Sequence, residues 1–388
     1  MKGRKLLMIP GPIEFEPDVL QALGAPTDSH VSAGFIEIFG NSLELMRTVW
    51  QSPTGQPFIM AGSGTLAMDM AVVNLIEPND NVLIISTGYF GERYANICKR
   101  YGANVTILTT EVGDTVSLNT VEEELSSKKY KLLTITHVDT STGVLVDPEP
   151  IAKLAKNYGT LSILDGVCSV AGEEIKQDKW GIDVVFTASQ KAIGVPPGLA
   201  LLMVSEKAMN VFKNRKTLVQ NYYADFTNWL PIMEAYESRN PSYFGTPSVN
   251  LITALEVSLQ HIVSEGIENR FLRHKQTATA FREAMLALGL QLLPIHKNIS
   301  ANTLTAVYYP ENINGGTFLK HVGNNNIILA GGLLPSHKTQ YFRVGHMGSV
   351  NNNDILATIS AIESSLIACN YAFETGIGVK TALKILNS

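Results

Sequence analysis

The sequence is poor in cysteine. Its 388 residues include three, Cys98, Cys168 and Cys369, which form neither a CxxC pair nor a cluster with histidine. We therefore expect neither a disulfide framework nor a metal site, and a reducing compartment is the natural expectation. Cys168 is interpreted as a small buried core residue rather than as a redox centre.

Long apolar runs, targeting signals and blocks of basic residues are also missing. No stretch reaches the roughly 18 apolar residues of a membrane span, and the apolar stretch near the start is too short for a signal peptide. The net charge of −5 comes without any interleaving of basic and aromatic residues, which argues against nucleic acid as a partner. A cytoplasmic location is expected, with mitochondria and peroxisomes left open.

The sequence does contain a regular alternation of short apolar runs and helical segments. Hydrophobic residues make up 45% of the chain and charged residues 17%, as in a globular enzyme or a large binding protein. Repeated strand–helix units predict an α/β fold with a mostly parallel sheet and helices on both faces. The predicted strands are 56–61, 82–85, 105–108, 132–135, 161–164 and 184–186, followed by a run at 198–204 that is expected to return antiparallel.

The length suffices for about two domains. We expect an N-terminal arm (residues 1–20), a large domain (21–255) and a smaller C-terminal α+β domain (256–388). Residues 207–247 show no clean period and are rich in aromatic side chains, so we expect an irregular segment that is functional or buried at a partner surface. Residues 291–294 are expected to form a strand, and 354–369 a closing helix.

Two of the apolar runs end in residues that carry chemistry. Asp165 follows the run 161–164, and Lys191 follows the run 184–186 after a few polar residues. The carboxyl ends of parallel strands share one cleft, so the two side chains can converge there. A buried lysine with a lowered pKa can attack an aldehyde, and an aspartate can keep a pyridinium nitrogen protonated. The pair predicts Schiff-base chemistry on pyridoxal phosphate.

The loop Gly62-Ser63-Gly64-Thr65 lies between a predicted strand and a predicted helix. Free backbone N–H groups and the helix dipole favour an anion there, which predicts a phosphate site. The same loop matches a loose dinucleotide fingerprint, so a nicotinamide-dependent oxidoreductase is the alternative from another class. The acidic residue that this fingerprint needs is missing, because the next strand ends in Ser86-Thr87-Gly88.

Three more residues are candidates for contacts in the same cleft. Phe90, flanked by Gly88 and Gly91, can stack on a planar cofactor or simply pack in the core. Thr140 can donate a hydrogen bond to a ring oxygen or a substrate carboxylate, or act as a turn residue. Gly11 lies in a Pro-Gly-Pro run that forms either a rigid connector or a wall over the site.

Residues of the C-terminal half add possible anion contacts. Arg343 stands between apolar residues in a strand pattern, where it either grips a carboxylate with its fork or forms a structural ion pair. Tyr243 and Thr246 offer two hydroxyls just before a helix start, which also favours an anion.

Together these motifs resemble the class V branch of the pyridoxal-phosphate aminotransferases, most closely the alanine–glyoxylate and serine–pyruvate aminotransferases. The resemblance covers almost the full length, through PGP at 10–12, AGSGT at 61–65, STGYFGER at 86–93, THVDTSTGV at 136–144, ILDGVCS at 163–169, TASQKAIGVPPGL at 187–199, SYFGTP at 242–247 and FRVGHMG at 342–348. It implies fold type I, with a large domain built on a seven-stranded sheet and a smaller C-terminal α+β domain.

The resemblance also implies roles at the cofactor ring. Lys191 would hold pyridoxal 5'-phosphate covalently and move the proton, and Asp165 would face the pyridinium nitrogen. Phe90 stands over the ring where many members carry tryptophan, and Thr140 stands next to the ring oxygen where serine is common.

Further implied contacts involve the phosphate group and the substrate. The substrate carboxylate would be held by Arg343, with Gly11 and Thr140 lining the substrate side. The implied phosphate contacts are Ser63, Gly64, Thr65 and Gln190, together with Tyr243 and Thr246 from the neighbouring subunit of a homodimer.

The expected activity is the transfer of an amino group from alanine or serine to glyoxylate or pyruvate by a ping-pong Schiff-base mechanism. Such an enzyme would belong to glyoxylate metabolism and glycine biosynthesis. Within the same fold, a transaminase that uses ureidoglycine or aminoethylphosphonate would share every cofactor residue. A desulfurase is disfavoured because no cysteine lies in a mobile, electropositive loop.

Overall fold

The computed structural model describes residues 5–387. In chain order, the strands are β1 (Leu6–Leu7), β2 (Gln56–Ala61), β3 (Asn81–Ile85), β4 (Asn104–Leu108), β5 (Leu132–Thr136), β6 (Leu161–Asp165), β7 (Val184–Ala188), β8 (Leu199–Val204), β9 (Leu304–Tyr308), β10 (Ile327–Ile328), β11 (Ala330–Gly331) and β12 (Tyr341–Gly345).

Helices account for most of the remaining regular structure. They are α1 (Pro17–Leu23), α2 (Ala33–Trp50), α3 (Gly64–Val73), α4 (Tyr89–Arg100), α5 (Leu118–Ser127), α6 (Pro148–Asn157), α7 (Gln177–Trp180), α8 (Glu206–Lys213), α9 (Phe226–Glu237), α10 (Val249–Glu265), α11 (Ile267–Ala287), α12 (Gly315–Asn324), α13 (Asn352–Ala368) and α14 (Ile377–Leu386). Within residues 5–387, no helix has both the length and the apolar character needed to cross a membrane.

A seven-stranded sheet forms the centre of the molecule, in the order β2-β8-β7-β6-β5-β3-β4. The pairs from β7 across to β4 are parallel, whereas β8 is antiparallel to both of its neighbours. This arrangement confirms the predicted α/β fold and the antiparallel return at 198–204. Every residue of β5, β6, β7 and β8 is buried, which explains why these strands read as continuous apolar runs.

The C-terminal part has its own sheet and its own core. A three-stranded antiparallel sheet has the order β11-β12-β9, and Phe281, Phe318 and Phe342 pack in a second apolar cluster. Strand β1, near the start of the chain, pairs in parallel with β10 of this part. The large sheet and this smaller α+β part match the predicted fold class, while the exact boundaries 1–20, 21–255 and 256–388 stay a prediction.

Three local predictions are wrong. Residues 207–247 are not irregular throughout, because they hold most of α8 and all of α9. The expected strand at 291–294 is reduced to one bridge between Leu292 and Val307. The helix expected at 354–369, observed as α13, is followed by α14 and so does not close the chain.

Candidate active site

Two strand ends bring Asp165 and Lys191 into one cavity of about 180 Å³. Asp165 is the last residue of β6, and Lys191 lies just beyond the end of β7, the adjacent parallel strand. Both side chains are buried, with 3% and 7% of their surface exposed. Two larger clefts, of about 650 and 770 Å³, lie elsewhere. The lysines that line the cleft of 770 Å³, Lys275 and Lys297, are exposed, unlike Lys191.

Most of the predicted site residues line this cavity. Nine of the twelve do so: Gly11, Ser63, Gly64, Thr65, Phe90, Thr140, Asp165, Gln190 and Lys191. Arg343 contacts its wall, and Tyr243 and Thr246 lie outside it. The roles of these residues toward a ligand stay predictions.

Burial dominates the electrostatics of Asp165. Burial and the nearby Asp139 together raise the pKa of the carboxyl to about 7, against the hydrogen bond from the Val167 N–H to Oδ1 (3.0 Å) and the charges of Lys191 and Arg93, which oppose the rise. A buried carboxylate with this pKa becomes fully ionised at neutral pH only beside a positive charge. A protonated pyridine ring supplies such a charge, so Asp165 fits the nitrogen end of pyridoxal phosphate.

Burial also lowers the pKa of the Lys191 amine, and the positive charge of Arg343 lowers it further. The ammonium donates a hydrogen bond to the Pro10 carbonyl, so the Pro-Gly-Pro loop lies directly against the amine. Gly11 has φ +99°, and a Cβ built on it would lie 2.6 Å from Lys191 Cδ. Only glycine allows the loop to approach the lysine this closely.

The start of α3 forms an anion cradle with unused donors. Its N-cap residue, Ser63, makes no side-chain capping bond, so the first N–H groups of the helix remain available. A Cβ at Gly64 would come within 3.2 Å of Ala188 Cβ, so the wall is tightly packed at this point. The Gln190 Oε1 atom is buried without a hydrogen-bond partner. These features fit the phosphate end of the same cofactor.

Phe90 is held by a loop from a different strand end. Its N–H donates to Asp139 Oδ2 (2.9 Å), and the Tyr89 N–H donates to Ser141 Oγ (3.0 Å). Ser141 in turn donates from N and Oγ to Asp139 Oδ1, at 2.8 and 2.6 Å. Asp139 and Ser141 therefore cap α4 from outside, and they place Phe90 and Thr140 on the same cavity.

Arg343 joins this loop from the C-terminal part. Its Nη1 donates to the Thr140 carbonyl and its Nε to the Gly331 carbonyl, both at 2.9 Å. It forms no ion pair with a carboxylate of the described chain, although it is 9% exposed and carries a full charge. The structural ion pair, which the sequence left open as the alternative for Arg343, is therefore absent there, and the guanidinium retains donors for a ligand.

Tyr243 and Thr246 do not reach the cavity of their own chain. Both are exposed, Tyr243 by 65%, and the Tyr243 ring lies 5.5 Å from that of His30. The expectation that they act on a neighbouring subunit remains a prediction.

Sequence reasoning missed four residues that line the cavity: Met68, Arg93, Val138 and Val167. Arg93 had a readable signal, because it stands three positions after Phe90 in α4 and so lies on the same helix face. Sequence reasoning also missed that Asp139 caps α4. The sequence gives no signal for this cap, because it joins two loops that only the tertiary fold brings together.

Known proteins resemble this chain along nearly its whole length. The family model described as Aminotransferase class-V matches residues 20–345. Alanine–glyoxylate aminotransferase 1 of Saccharomyces cerevisiae is 40% identical over 361 residues, which is 89% of this chain and 93% of the yeast protein. L-aspartate–glyoxylate aminotransferase of Paracoccus denitrificans is 30% identical, covering 98% and 96% of the two chains. The crystal structure of ureidoglycine–glyoxylate aminotransferase from Bacillus subtilis superposes with a TM-score of 0.93 at 26% identity, covering 100% and 99%.

Proposed function

The chain belongs to the class V aminotransferases, which are pyridoxal-phosphate-dependent transaminases of fold type I, and on that premise we propose that it moves an amino group from alanine to glyoxylate. Serine is the second donor and pyruvate the second acceptor that we propose. The observation that carries the choice of alanine is the 40% identity to the yeast enzyme over most of both chains. Because amino transfer to glyoxylate yields glycine, a role in glycine biosynthesis belongs to the same proposal.

The site residues fit the two ends of the cofactor, as described above. When bound, pyridoxal phosphate supplies an aldehyde that condenses with amines and a ring that withdraws electrons from the adjacent carbon. Asp165 would fix the positive charge at the ring nitrogen, and the start of α3 with Gln190 would hold the phosphate. Phe90 would pack against the ring, and Thr140 would offer it a hydroxyl.

The remaining residues act on the substrate. Lys191 Nζ takes the proton from the α-carbon of the donor in the first half-reaction and gives a proton to the α-carbon of the new amino acid in the second, which its lowered pKa favours near neutral pH. Arg343 binds the substrate carboxylate with the donors that the Thr140 and Gly331 carbonyls leave free. The loop at Gly11 closes the cavity over the amine and limits the size of the donor side chain.

A donor and acceptor screen tests this proposal. The purified protein is incubated with alanine, serine, aspartate or ureidoglycine together with glyoxylate, and glycine formation is measured. We expect alanine to give the highest kcat/KM and two-substrate plots to show parallel lines, because each half-reaction finishes before the next begins. A higher kcat/KM with ureidoglycine, the donor named for the Bacillus subtilis structure, would replace alanine in the proposal. Intersecting lines would contradict the mechanism.

We also propose that the protein is a homodimer with Tyr243 and Thr246 reaching the partner's phosphate site. An exposed aromatic surface supports this: Tyr222 is 79% and Leu218 92% exposed, and the Tyr222 ring lies 5.5 Å from that of Phe244. The neighbouring Tyr223 hydroxyl donates to the Ala61 carbonyl (3.0 Å), which places this surface beside the anion cradle. A second copy docked here would lie next to the site.

Sedimentation velocity tests the dimer. Tyr222→Asp should shift the protein toward monomer and weaken cofactor binding. Tyr243→Phe should leave the dimer intact and weaken only cofactor binding. A wild-type protein that sediments as a monomer at micromolar concentration would refute the dimer without touching the proposed reaction.

A further inference from the structure

The predicted phosphate cradle is short of positive charge. A phosphate ester carries roughly −1.5 to −2 near neutral pH. Ser63, Gly64, Thr65 and Gln190 offer neutral donors, and the helix dipole of α3 adds the equivalent of about half a charge. Among the described residues that line the cavity, only Lys191 and Arg93 are cationic, and Lys191 is committed to the aldehyde.

Arg93 stands where the missing charge is needed. Its Nη1 lies 3.4 Å from Thr65 Oγ1, at the start of the cradle helix, and its Nη2 donates to the Tyr89 hydroxyl (3.2 Å). Its guanidinium carbon lies 4.9 Å from the ring centroid of Phe90 and 5.0 Å from that of Tyr89. The two aromatic rings hold the fork by cation–π contacts, so its orientation is largely set before a ligand arrives.

Arg93 has no carboxylate partner in an ion pair. It forms no salt bridge with any aspartate or glutamate in residues 5–387, and it is partly buried. Its charge lowers the pKa of Asp165 without an ion pair between the two side chains. The guanidinium therefore keeps hydrogen-bond donors available for an anionic ligand in the cavity.

We propose that Arg93 binds the phosphate group of the cofactor and supplies the fixed positive charge that the rest of the cradle lacks. This inference rests on the proposed assignment of the α3 start and Gln190 as the phosphate site. The competing explanation is that Arg93 only supports Phe90 from behind and helps to place its ring.

Comparison of two ligands separates these explanations. Full-length protein, resolved from its cofactor, is titrated with pyridoxal 5'-phosphate and with pyridoxal, which lacks the phosphate, and binding is followed by tryptophan fluorescence. The variants are Arg93→Met, which keeps the stem and removes the charge, and Arg93→Lys, which keeps the charge. Arg100→Met is the matched control, since it makes the same change at an exposed arginine of the same helix.

The expected result is selective. Arg93→Met should weaken the binding of pyridoxal 5'-phosphate by on the order of ten- to a hundredfold, which is the usual effect of losing a charge-assisted hydrogen bond. The affinity for pyridoxal should stay unchanged. Arg93→Lys should recover part of the loss, and Arg100→Met should match the wild type. If Arg93→Met does not fold, Arg93→Lys serves as the test. A weakened phosphate contact in this variant should lower the affinity for pyridoxal 5'-phosphate and leave the affinity for pyridoxal unchanged.

Two outcomes would overturn the inference. Equal weakening of both ligands would assign Arg93 to the support of Phe90, and no weakening of either would remove it from the site. Ser63→Ala serves as the reference for the cradle itself: if it also fails to weaken the phosphorylated ligand selectively, the proposed phosphate site is wrong, not just the part of Arg93.

Discussion

Burial changes what a single lysine can do. An amine in water holds its proton up to a pH of about 10.4. Lys191 is 7% exposed, and its surroundings lower the pKa, so more of the free amine is present at neutral pH. Lys191 shares its cavity with a buried aspartate, whereas Lys275 and Lys297, which line a larger cleft, are exposed. Its chemistry follows from its position at a strand end rather than from the residue type.

Lys191→Arg should therefore abolish transamination while preserving positive charge. A guanidinium stays protonated and cannot form the covalent link to the aldehyde, so we expect activity to fall by at least about a thousandfold. The lysine-bound cofactor is expected to be yellow and to be bleached by borohydride, and this signal should also be lost. Lys213→Arg, at an exposed lysine in α8, is the matched control and should behave as the wild type. A cofactor that borohydride fixes covalently to the Lys191→Arg protein would place the covalent link on another residue.

Arg343→Lys addresses the substrate rather than the cofactor. The lysine keeps a charge but loses the fork that can hold both carboxylate oxygens, so KM for the amino donor should rise by roughly ten- to a hundredfold. Cofactor affinity should stay unchanged, because Arg343 does not line the cofactor cavity. Arg215→Lys is the control, since Arg215 is another arginine that donates to a backbone carbonyl, that of Ile76, and it lines a different cavity. A loss of cofactor affinity with an unchanged KM would reverse the assignment.

At the scale of elements, the site depends on how helix α4 begins. Asp139 is fully buried, and burial raises its pKa, while hydrogen bonds from Ser141, Phe90 and Gly91 favour the carboxylate. This one side chain connects the end of β5 with the first turn of α4. Thr140 follows Asp139, and its carbonyl accepts a hydrogen bond from Arg343. The loop therefore links the predicted contacts to the cofactor ring with the predicted contacts to the substrate.

Asp139→Asn should disturb that link. The amide places a donor where the carboxylate accepts, so α4 loses a cap worth about 0.5–2 kcal/mol and Phe90 shifts from its place. We expect weaker cofactor binding and an altered visible circular dichroism of the bound cofactor. Asp147→Ala removes a comparable cap from α6, where Asp147 accepts from Glu149 N (3.2 Å), and should reduce stability without changing the spectrum. Identical spectra for both variants would show that Asp139 is merely a cap.

The strands of the central sheet were predictable and helix α9 was not. The strands could be read because their runs of apolar residues are buried on both faces, as in β6 and β7. Helix α9 lies in a segment without a clean hydrophobic period, and it contains Pro231, which disrupts helical hydrogen bonding. Burial of Phe226, Trp229 and Met233 outweighs that local cost, and such packing is invisible in a single sequence.

The candidate site residues also divide into those that the sequence could bring together and those that it could not. Asp165 and Lys191 follow predicted strands directly, so parallel topology was enough to bring them together. The contact between Arg343 and the Thr140 carbonyl joins positions 203 residues apart, and no local pattern predicts it. The proposed contacts of Tyr243 and Thr246 with a neighbouring subunit depend on a second chain, so they stay a prediction.

At the scale of the whole molecule, a buried carboxylate ties the large sheet region to the C-terminal part. Glu173 follows the β6 loop and accepts hydrogen bonds from the backbone N–H and Nδ2 of Asn302, the latter at 2.8 Å. Arg282 of α11 donates to Asn302 Oδ1 (3.2 Å) and to the Ala301 carbonyl (2.5 Å). Because Asn302 leads into β9, this network fixes where the smaller sheet begins relative to the larger one.

The network makes stability depend on pH. Burial raises the pKa of Glu173 to about 7, while its hydrogen bonds with Asn302 and the charge of Arg282 oppose the shift. A carboxyl whose pKa is higher in the folded state contributes its stability in full below the unfolded value of about 4.3, and this contribution is lost as pH rises to about 7. Wild-type protein saturated with cofactor should therefore lose on the order of 1–3 kcal/mol of unfolding free energy across this window through Glu173.

Glu173→Gln removes the titration and keeps the shape of the side chain. Its unfolding free energy, measured by urea denaturation at several pH values between 4.5 and 8, should fall less steeply with pH than that of the wild type. Saturating cofactor is needed because Asp165, whose pKa is also raised to about 7 in the cofactor-free site, would add a slope of the same sign. Glu174→Gln is the matched control at an adjacent residue that pairs with Lys176 at the surface, and it should retain the wild-type slope. Parallel curves for wild type and Glu173→Gln would mean that the carboxylate is already ionised in the folded protein, held by Arg282 more strongly than burial opposes it.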